Sequence, residues 1–162
     1  MIVPPGEYRA FLDAAGVLCG LIESVAEPSV AERPSVNRVR VAVAEVLAAG
    51  WRPPAVEPAT GEFEVPEISH AEWRRVFAVV QEWIGESEYY STNQVLRGRG
   101  TRTVTVGSVA DDLADIWRDL RSSLEAERHD MSWRDAVWQA RFDLETHWGT
   151  HALEVLRALH SL

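Results

Sequence analysis

The chain has 162 residues, with 16 basic and 25 acidic side chains, a formal net charge of −9 and 46% hydrophobic residues. A chain of this length can bury its own hydrophobic core, and we predict one helical domain over residues 1–162. The negative charge argues against nucleic acid as a partner, because binding to a phosphate backbone rests on Lys and Arg contacts.

Neither a membrane span nor a secretory signal is expected. No apolar run reaches the roughly 18 residues that a transmembrane helix needs, and the first residues lack the basic start of a signal peptide. Cys19 is the only cysteine, so it forms no internal disulfide, and its helical spacing favours a buried hydrophobic side chain over a nucleophile. We therefore expect a cytoplasmic protein.

Apolar residues recur at three- and four-residue steps in the first fifty positions, as on one face of a helix. The first helix is predicted from Gly6 to Ala26. The second is predicted to begin near Ser35 and to end at Gly50, a residue that suits a helix C-terminus. The face of the first helix consists of Tyr8, Phe11, Leu12, Ala15, Leu18, Cys19 and Ile22.

Residues 51–68 contain four prolines and no helical period, which predicts a surface loop that begins with an exposed Trp51. Ser69 and Glu72 have the spacing of a capping box, so a third helix is predicted to begin there and to end at Gly85. Its apolar face consists of Trp73, Val76, Phe77, Val80, Trp83 and Ile84.

The helical pattern breaks between Glu86 and Gly107. Alternation from Thr101 to Val106 predicts one arm of a hairpin, and Tyr89 and Tyr90 are predicted to lie on a loop. The segment is also locally basic, with Arg97, Arg99 and Arg102. These arginines have two interpretations, a contact with phosphate or RNA and a solvated loop, and the acidity of the whole chain favours the loop.

A fourth helix is predicted to begin at Ser108, which is followed by two aspartates in the first turn. A row of carboxylates lies beside its apolar face: Asp112, Asp115 and Asp119. After a turn at His129 and Asp130, Ser132 and Asp135 again have the spacing of a capping box. This pattern predicts the start of the last helix.

Residues 131–162 contain no proline and predict a helix about 45 Å long. On a helical wheel, one apolar face consists of Trp133, Val137, Ala140, Leu144, Trp148, His151, Val155 and Leu159. A second apolar set lies nearly opposite and consists of Trp138, Phe142, Leu153 and Leu156. A helix that is apolar on two sides is expected to lie at the centre of a bundle.

Arg141 and Glu145 fall in the arc between the two apolar sets, and His147 lies at the edge of the first apolar face, one turn before His151. His151 lies in the middle of the first apolar face. Buried polar groups need partners. We expect Arg141 to pair with Glu145, four residues later. We expect the histidines to pair with Asp112 or Asp115 of the fourth helix.

Three interpretations of this polar cluster remain. A structural network that fixes the last helix against the fourth is favoured over the other two. A metal site is the second, since His147 and His151 are one turn apart and could bind Zn²⁺ or Fe²⁺ together with carboxylates, although the paired Glu-x-x-His motifs of di-iron bundles are missing. The third is acid–base catalysis by either histidine beside Asp112 or Glu145. No phosphate loop, dinucleotide fingerprint or serine-hydrolase motif is present, and no cofactor or metal is assigned.

Two blocks of the sequence resemble a known bacterial family. The first is residues 107–120, GSVADDLADIWRDL, and the second lies in the last helix. The residues of the second block that carry the resemblance are Ala136–Trp138, Arg141–Glu145, His147–Gly149 and His151–His160. In these blocks the chain is similar to the family catalogued as domain of unknown function 5063. The resemblance implies a small helical bundle and no particular activity or ligand.

The sequence thus predicts an all-α, up-and-down bundle of about five helices with a long C-terminal helix. We expect a non-enzymatic interaction or accessory module whose acidic surface suits a protein partner with a basic face, as in an inhibitor or immunity protein. Its predicted contact residues are Tyr89, Tyr90 and Trp51. The alternative is a metal- or acid/base-dependent enzyme built on Asp112, Asp115, Glu145, His147 and His151. The sequence leaves the oligomeric state open.

Overall fold

A computed structural model of the protein describes residues 6–25, 33–59, 63–95, 102–129 and 131–162. The fold is a helical bundle, as predicted, and it also contains a small two-stranded sheet. Its elements are α1 (Gly6–Val25), α2 (Val36–Gly50), α3 (His70–Ile84), a 3₁₀ turn (Gly85–Ser87), β1 (Tyr89–Val95), β2 (Arg102–Ser108), α4 (Val109–Arg128), α5 (Trp133–Asp143), a π-helical segment (Leu144–Trp148) and α6 (Gly149–His160). The predicted end of the first helix, Ala26, lies outside the described residues.

Serine side chains fix the starts of α3 and α4, as predicted. The hydroxyl oxygen of Ser69 accepts a hydrogen bond from the Glu72 amide at 3.3 Å, and the Glu72 carboxylate accepts one from the Ser69 amide at 3.1 Å. At α4 the Ser108 hydroxyl oxygen accepts from the Asp111 amide at 3.0 Å. Each cap satisfies a backbone donor that the helix itself leaves unpaired, so the starts of these helices could be predicted from the sequence.

The capping box predicted at Ser132 was wrong. Ser132 precedes α5 but makes no capping hydrogen bond through its side chain. Asp135 is buried and accepts a hydrogen bond from the Ala59 amide at 2.6 Å. The carboxylate therefore anchors the loop that follows α2, a contact between residues distant in sequence that local spacing cannot indicate.

Helix α4 is the central element of the bundle, since α1, α3, α5 and α6 all pack against it. The core that they enclose is aromatic at its centre: Trp148 is 1% exposed, and its ring stacks on Phe11 with 6.3 Å between centroids. A Cβ at Gly50 would come within 3.2 Å of the Trp148 ring, so this glycine lets α2 approach the indole closely. Cys19 is buried, as predicted, and burial raises the pKa of its thiol.

The last three elements form one continuous helix that contains a π turn. Its buried stripe consists of Val137, Ala140, Leu144, Trp148, Ala152, Val155 and Leu159. Three successive steps of four residues lead from Ala140 to Ala152, and each such step overshoots a full α-helical turn by about 40°. The wider π turn absorbs this drift and keeps the stripe on the core. A Cβ at Gly149 would overlap the carbonyl oxygen of Leu144, so glycine is suited to the end of the π segment.

The prediction that this helix is buried on two sides was wrong. Phe142 is 47% exposed and Leu153 is 61% exposed, although both belong to the second apolar set of the wheel. The helix packs one face against α2 and α4, and the other two members of the second set, Trp138 and Leu156, are only half-buried. His151 is also displaced from the middle of the apolar face, where Ala152 lies instead. Apolar side chains are common on protein surfaces, so their presence alone did not establish a second buried face.

Strands β1 and β2 form an antiparallel hairpin whose register pairs Tyr89 with Ser108 and Val95 with Arg102. The predicted arm up to Val106 is thus confirmed, but the tyrosine pair lies in a strand rather than on a loop. Arg97 and Arg99 lie outside the described residues, as does the side chain of Arg102. In the described part of the chain, no helix combines the length and hydrophobicity of a membrane span.

Candidate metal centre

Helix α4 and the last helix present facing polar groups along one side of the bundle. Asp112, Asp115 and Asp119 follow one another on α4 at steps of three and four residues, so they share a face. His147 lies in the π segment and His151 one turn later in α6. The two imidazole rings are 4.8 Å apart between centroids and inclined by 76°.

Each histidine is hydrogen-bonded through Nδ1 to its own aspartate, and its Nε2 atom faces Asp115, which the two histidines share. The Nδ1 atom of His151 lies 2.6 Å from Asp112 Oδ1, and its Nε2 atom lies 3.6 Å from Asp115 Oδ2. The Nδ1 atom of His147 lies 2.6 Å from Asp119 Oδ2, and its Nε2 atom lies 3.9 Å from Asp115 Oδ2. The partner Asp112 was predicted for His151, whereas Asp119 was not predicted as the partner of His147.

Asp115 is likewise bound to the protein through one of its two carboxylate oxygens. Its Oδ1 atom accepts a hydrogen bond from the Trp73 indole at 2.9 Å and lies 3.0 Å from Arg118 Nη2. These contacts leave Oδ2 directed at the two imidazoles. One ligand atom from each of Asp115, His147 and His151 can be chosen so that all three lie within 4.8 Å of one another. A tetrahedral zinc ion, with bonds of about 2.0–2.1 Å, holds its ligand atoms about 3.4 Å apart, so small side-chain movements complete the geometry.

The charge balance of this cluster depends on the protonation of its two histidines. A neutral histidine that donates from Nδ1 has a lone pair on Nε2, and here that lone pair faces a carboxylate oxygen. Two acceptors repel unless a proton or a metal ion lies between them. The hydrogen bond to Asp112 is the main cause that raises the pKa of His151. Burial, followed by the charge of Asp115, raises the pKa of Asp111 nearby.

Tyr90 completes the surroundings of His151. Its hydroxyl donates to Asp112 Oδ2, the carboxylate oxygen that His151 does not use. Burial and this hydrogen bond raise the pKa of the Tyr90 phenol. Tyr90, predicted as a contact residue on a loop, is thus half-buried and faces Asp112, whereas Tyr89 is 66% exposed. Adjacent residues of a strand point to opposite faces, and that rule would have separated the two tyrosines once the strand was recognised.

A groove of about 370 Å³ adjoins this cluster between α4, α5 and the loop before α3. Its lining includes Asp119, Arg118, Gln139 and Asp143. The Gln139 side chain donates to Asp143 Oδ1 at 2.8 Å. Burial, followed by the charge of Asp119, raises the pKa of Asp143 to about 6. Nothing in the sequence indicated this groove, because its walls come from three separate segments.

Arg141 and Glu145 form the predicted pair, with 2.8 Å between Arg141 Nε and Glu145 Oε1. The pair is not inside the bundle as predicted, since the Glu145 side chain is 46% exposed. The Arg141 guanidinium also donates to the Pro53 carbonyl at 3.1 Å and lies 5.6 Å from the centroid of the Trp51 ring. Trp51 is exposed, as predicted. These contacts fasten the loop after α2 and are separate from the histidines.

The family model described as Domain of unknown function (DUF5063) matches residues 4–162. The chain belongs to the DUF5063 family. The match extends the resemblance seen in the C-terminal half to nearly the whole chain. The fold is also that of the crystal structure of protein BF1032 from Bacteroides fragilis, with a TM-score of 0.74 and 16% sequence identity over 96% of this chain and 90% of that chain. No curated protein matches the chain.

In this DUF5063 protein the predicted polar cluster therefore divides into two. Arg141 and Glu145 belong to a surface pair. The other four predicted residues meet between α4 and the last helix: Asp112, Asp115, His147 and His151. The sequence did not predict the hydrogen bonds that three further side chains make to these residues. The three are Trp73, Tyr90 and Asp119.

Proposed function

We propose that this DUF5063 protein binds a divalent transition-metal ion through Asp115 Oδ2 and the Nε2 atoms of His147 and His151, and uses it in enzyme chemistry. One observation carries the proposal. Both Nε2 atoms lie within 3.9 Å of Asp115 Oδ2, while the other polar atom of each side chain is already hydrogen-bonded to the protein. Histidine ligands of metal ions are typically oriented in this way, by a carboxylate on the second ring nitrogen.

With neutral imidazoles, the arrangement differs from a purely structural network. In such a network each donor meets an acceptor, and the converging atoms would be satisfied by one another. Here two imidazole nitrogens face a carboxylate oxygen at 3.6 and 3.9 Å. Protonation of the imidazoles would also balance these charges. Acid–base chemistry by the same histidines is therefore the alternative, and the metal titration must distinguish it from metal binding.

The ligand set indicates the class of ion and of reaction. Two imidazole nitrogens with one carboxylate oxygen suit Zn²⁺ and Fe²⁺, and three protein ligands leave coordination positions for water or substrate. The His147 side chain is 38% exposed, so solvent reaches the centre, and the groove beside Asp119 offers room for a substrate. A zinc ion in such a site supplies a water molecule with a pKa near 7, which is the requirement for hydrolysis.

A protein-interaction role, with a partner that has a basic face, is the second candidate function. One observation favours it: the outer face of the hairpin exposes Tyr89, Val104 and Val106 by 66%, 66% and 73%. The net charge of −9 suits a basic partner. The two roles are compatible, because the inner face of the same hairpin carries Tyr90 toward the candidate metal centre.

Calorimetric titration of metal-free protein with Zn²⁺, Mn²⁺ and, without oxygen, Fe²⁺ tests the metal proposal. We expect one ion per chain with a Kd of about 1 µM or tighter for at least one ion. At a free concentration 100 times Kd, the ion should add about 2.7 kcal/mol to the free energy of unfolding, which thermal melting detects. Absence of binding by all three ions, with melting temperatures unchanged, would leave protonated histidines as the explanation and contradict the proposal.

A further inference from the structure

We infer that Tyr90 is a positioning residue that orients Asp112, and through it His151, for metal binding; the inference rests on the proposed metal function. Tyr90 has no role as a ligand itself, since its hydroxyl is directed at Asp112. The order of contacts is Tyr90 hydroxyl, Asp112 carboxylate, His151 Nδ1. The hairpin is thereby connected to the atom that would bind the ion.

Asp112 needs both of its partners to keep one orientation. It is 6% exposed, so water contributes little to its solvation. Its Oδ1 atom contacts His151 Nδ1 at 2.6 Å, and its Oδ2 atom accepts from Tyr90. Two fixed donors, one on each oxygen, determine the plane of the carboxylate and with it the orientation of the imidazole. Loss of the phenol hydroxyl frees the carboxylate to rotate.

Tyr90 and the two residues that follow it in β1 all contact helix α6. The guanidinium of Arg157 in α6 lies 5.6 Å from the centroid of the Tyr90 ring, a cation–π contact. The same guanidinium donates to the Ser91 carbonyl at 2.8 Å. The next inward residue of the strand, Thr92, donates to Glu154 Oε1 at 2.7 Å. The inner face of β1 is therefore fastened to α6, the helix that carries His151.

The absence of a side chain at Gly107 leaves room for the Tyr90 ring. The two residues are partners in the register of the hairpin. A Cβ at Gly107 would overlap the Tyr90 ring and its hydroxyl oxygen, so any side chain there displaces the phenol. The hairpin thus combines a tyrosine directed at Asp112 with a glycine that makes room for it, and this pairing is an observation independent of the hydrogen bond.

The experiment compares Tyr90→Phe with Tyr89→Phe. Both variants remove a phenol hydroxyl from adjacent positions, but Tyr89 lies on the exposed outer face. By calorimetry with Zn²⁺, we expect Tyr90→Phe to weaken binding by about 10–100-fold, the usual effect of losing a group that orients a ligand. Tyr89→Phe should bind within twofold of the unchanged protein. The visible spectrum of the Co²⁺ complex should change in Tyr90→Phe alone, which a merely stabilising role would not produce.

Gly107→Ala provides a second variant in case Tyr90→Phe folds poorly. It keeps the hydroxyl but displaces the ring, and should weaken Zn²⁺ binding and alter the Co²⁺ spectrum in the same direction. If the unchanged protein binds metal and both variants match it in affinity and spectrum, the inference is overturned while the metal site stands. If the unchanged protein binds none of the ions, the proposed function fails and the inference fails with it.

Discussion

Two polar clusters lie on the same continuous helix and differ in how their atoms are satisfied. At Arg141 every contact joins a donor to an acceptor: the guanidinium meets the Glu145 carboxylate and the Pro53 carbonyl. Further along the helix, His147 and His151 direct nitrogen atoms toward an oxygen of Asp115 that is itself an acceptor. The first cluster is complete as a set of hydrogen bonds, whereas we propose that a metal ion completes the second.

We therefore assign the two clusters different roles, although both lie on the same helix: the first stabilises the fold, and the second is the proposed metal site. A structural pair contributes to the free energy of unfolding and needs nothing further. In the proposed metal site the ion would compensate the facing acceptors, so the second cluster should add little stability until the ion binds. The two clusters looked alike in the sequence, since both consist of charged or polar residues four positions apart.

The largest expected effect is on metal affinity. His151→Ala or His147→Ala removes a proposed ligand and should weaken Zn²⁺ binding by more than the roughly 10–100-fold that loss of an orienting group costs. His160→Ala removes an exposed histidine from the same helix and is the matched control. Calorimetry on the three variants checks this. Equal Kd values for His151→Ala and His160→Ala would place the ion elsewhere.

Gly149→Ala tests how the π segment supports the second cluster. The new Cβ would overlap the Leu144 carbonyl oxygen, so the turn between His147 and His151 must change. We expect a loss of about 1–3 kcal/mol in the free energy of unfolding, measured in urea, together with weaker Zn²⁺ binding. Gly20→Ala in α1 is the control, because nothing lies within 4 Å of its Cβ and the change should stabilise the helix by up to about 1 kcal/mol.

Arg141→Ala tests the first cluster. The variant loses the contacts to Glu145, to the Pro53 carbonyl and to the face of Trp51. We expect a loss of about 1–2 kcal/mol in the free energy of unfolding and an unchanged Kd for Zn²⁺. Arg128→Ala, which removes an exposed pair with Glu125, should cost less than about 0.5 kcal/mol. A large change in metal affinity in Arg141→Ala would contradict the separation of the two clusters.

The smallest expected effect concerns Asp143, which lies beside the second cluster. Its pKa is raised from 3.8 to about 6, so the folded protein takes up its proton more readily than the unfolded chain. The free energy of unfolding therefore contains a contribution that is present below about pH 4 and is lost as the pH rises through about 6. After allowance for solvent screening, this contribution is about 1 kcal/mol.

Asp143→Asn should accordingly be more stable than the unchanged protein at pH 7.5 and similar to it at pH 4, as measured by urea unfolding at both pH values. The asparagine can still accept the hydrogen bond from Gln139. Asp13→Asn, at an exposed position of α1, should show no such difference between the two pH values. A pH profile that Asp143→Asn leaves unchanged would exclude this contribution.

Much of the fold could be predicted from local patterns. The caps at Ser69 and Ser108 and the apolar stripes fixed α3 and α4, and steps of three and four residues brought the aspartates of α4 onto one face. Strand β1 escaped prediction because its residues after the tyrosines are mostly polar and do not alternate with apolar ones. The wheel for the last helix assumed a uniform turn, and the π segment broke that assumption.

The candidate site could be predicted only in part. The histidines and their partner Asp112 followed from helical spacing and the need of buried polar groups for partners. The contacts of Trp73 with Asp115 and of Tyr90 with Asp112 join residues 42 and 22 positions apart, which depends on how α3 and the hairpin pack against α4. Local sequence carries no information on that packing.

The central claim is that the atoms facing one another between α4 and the last helix bind a metal ion. Crystals of the Zn²⁺-loaded protein, measured on both sides of the zinc absorption edge, test it most directly. We expect one anomalous peak about 2.0–2.2 Å from the Nε2 atoms of His147 and His151 and from Asp115 Oδ2. A well-ordered centre with no anomalous peak between these atoms, at a zinc concentration that saturates binding in solution, would contradict the claim.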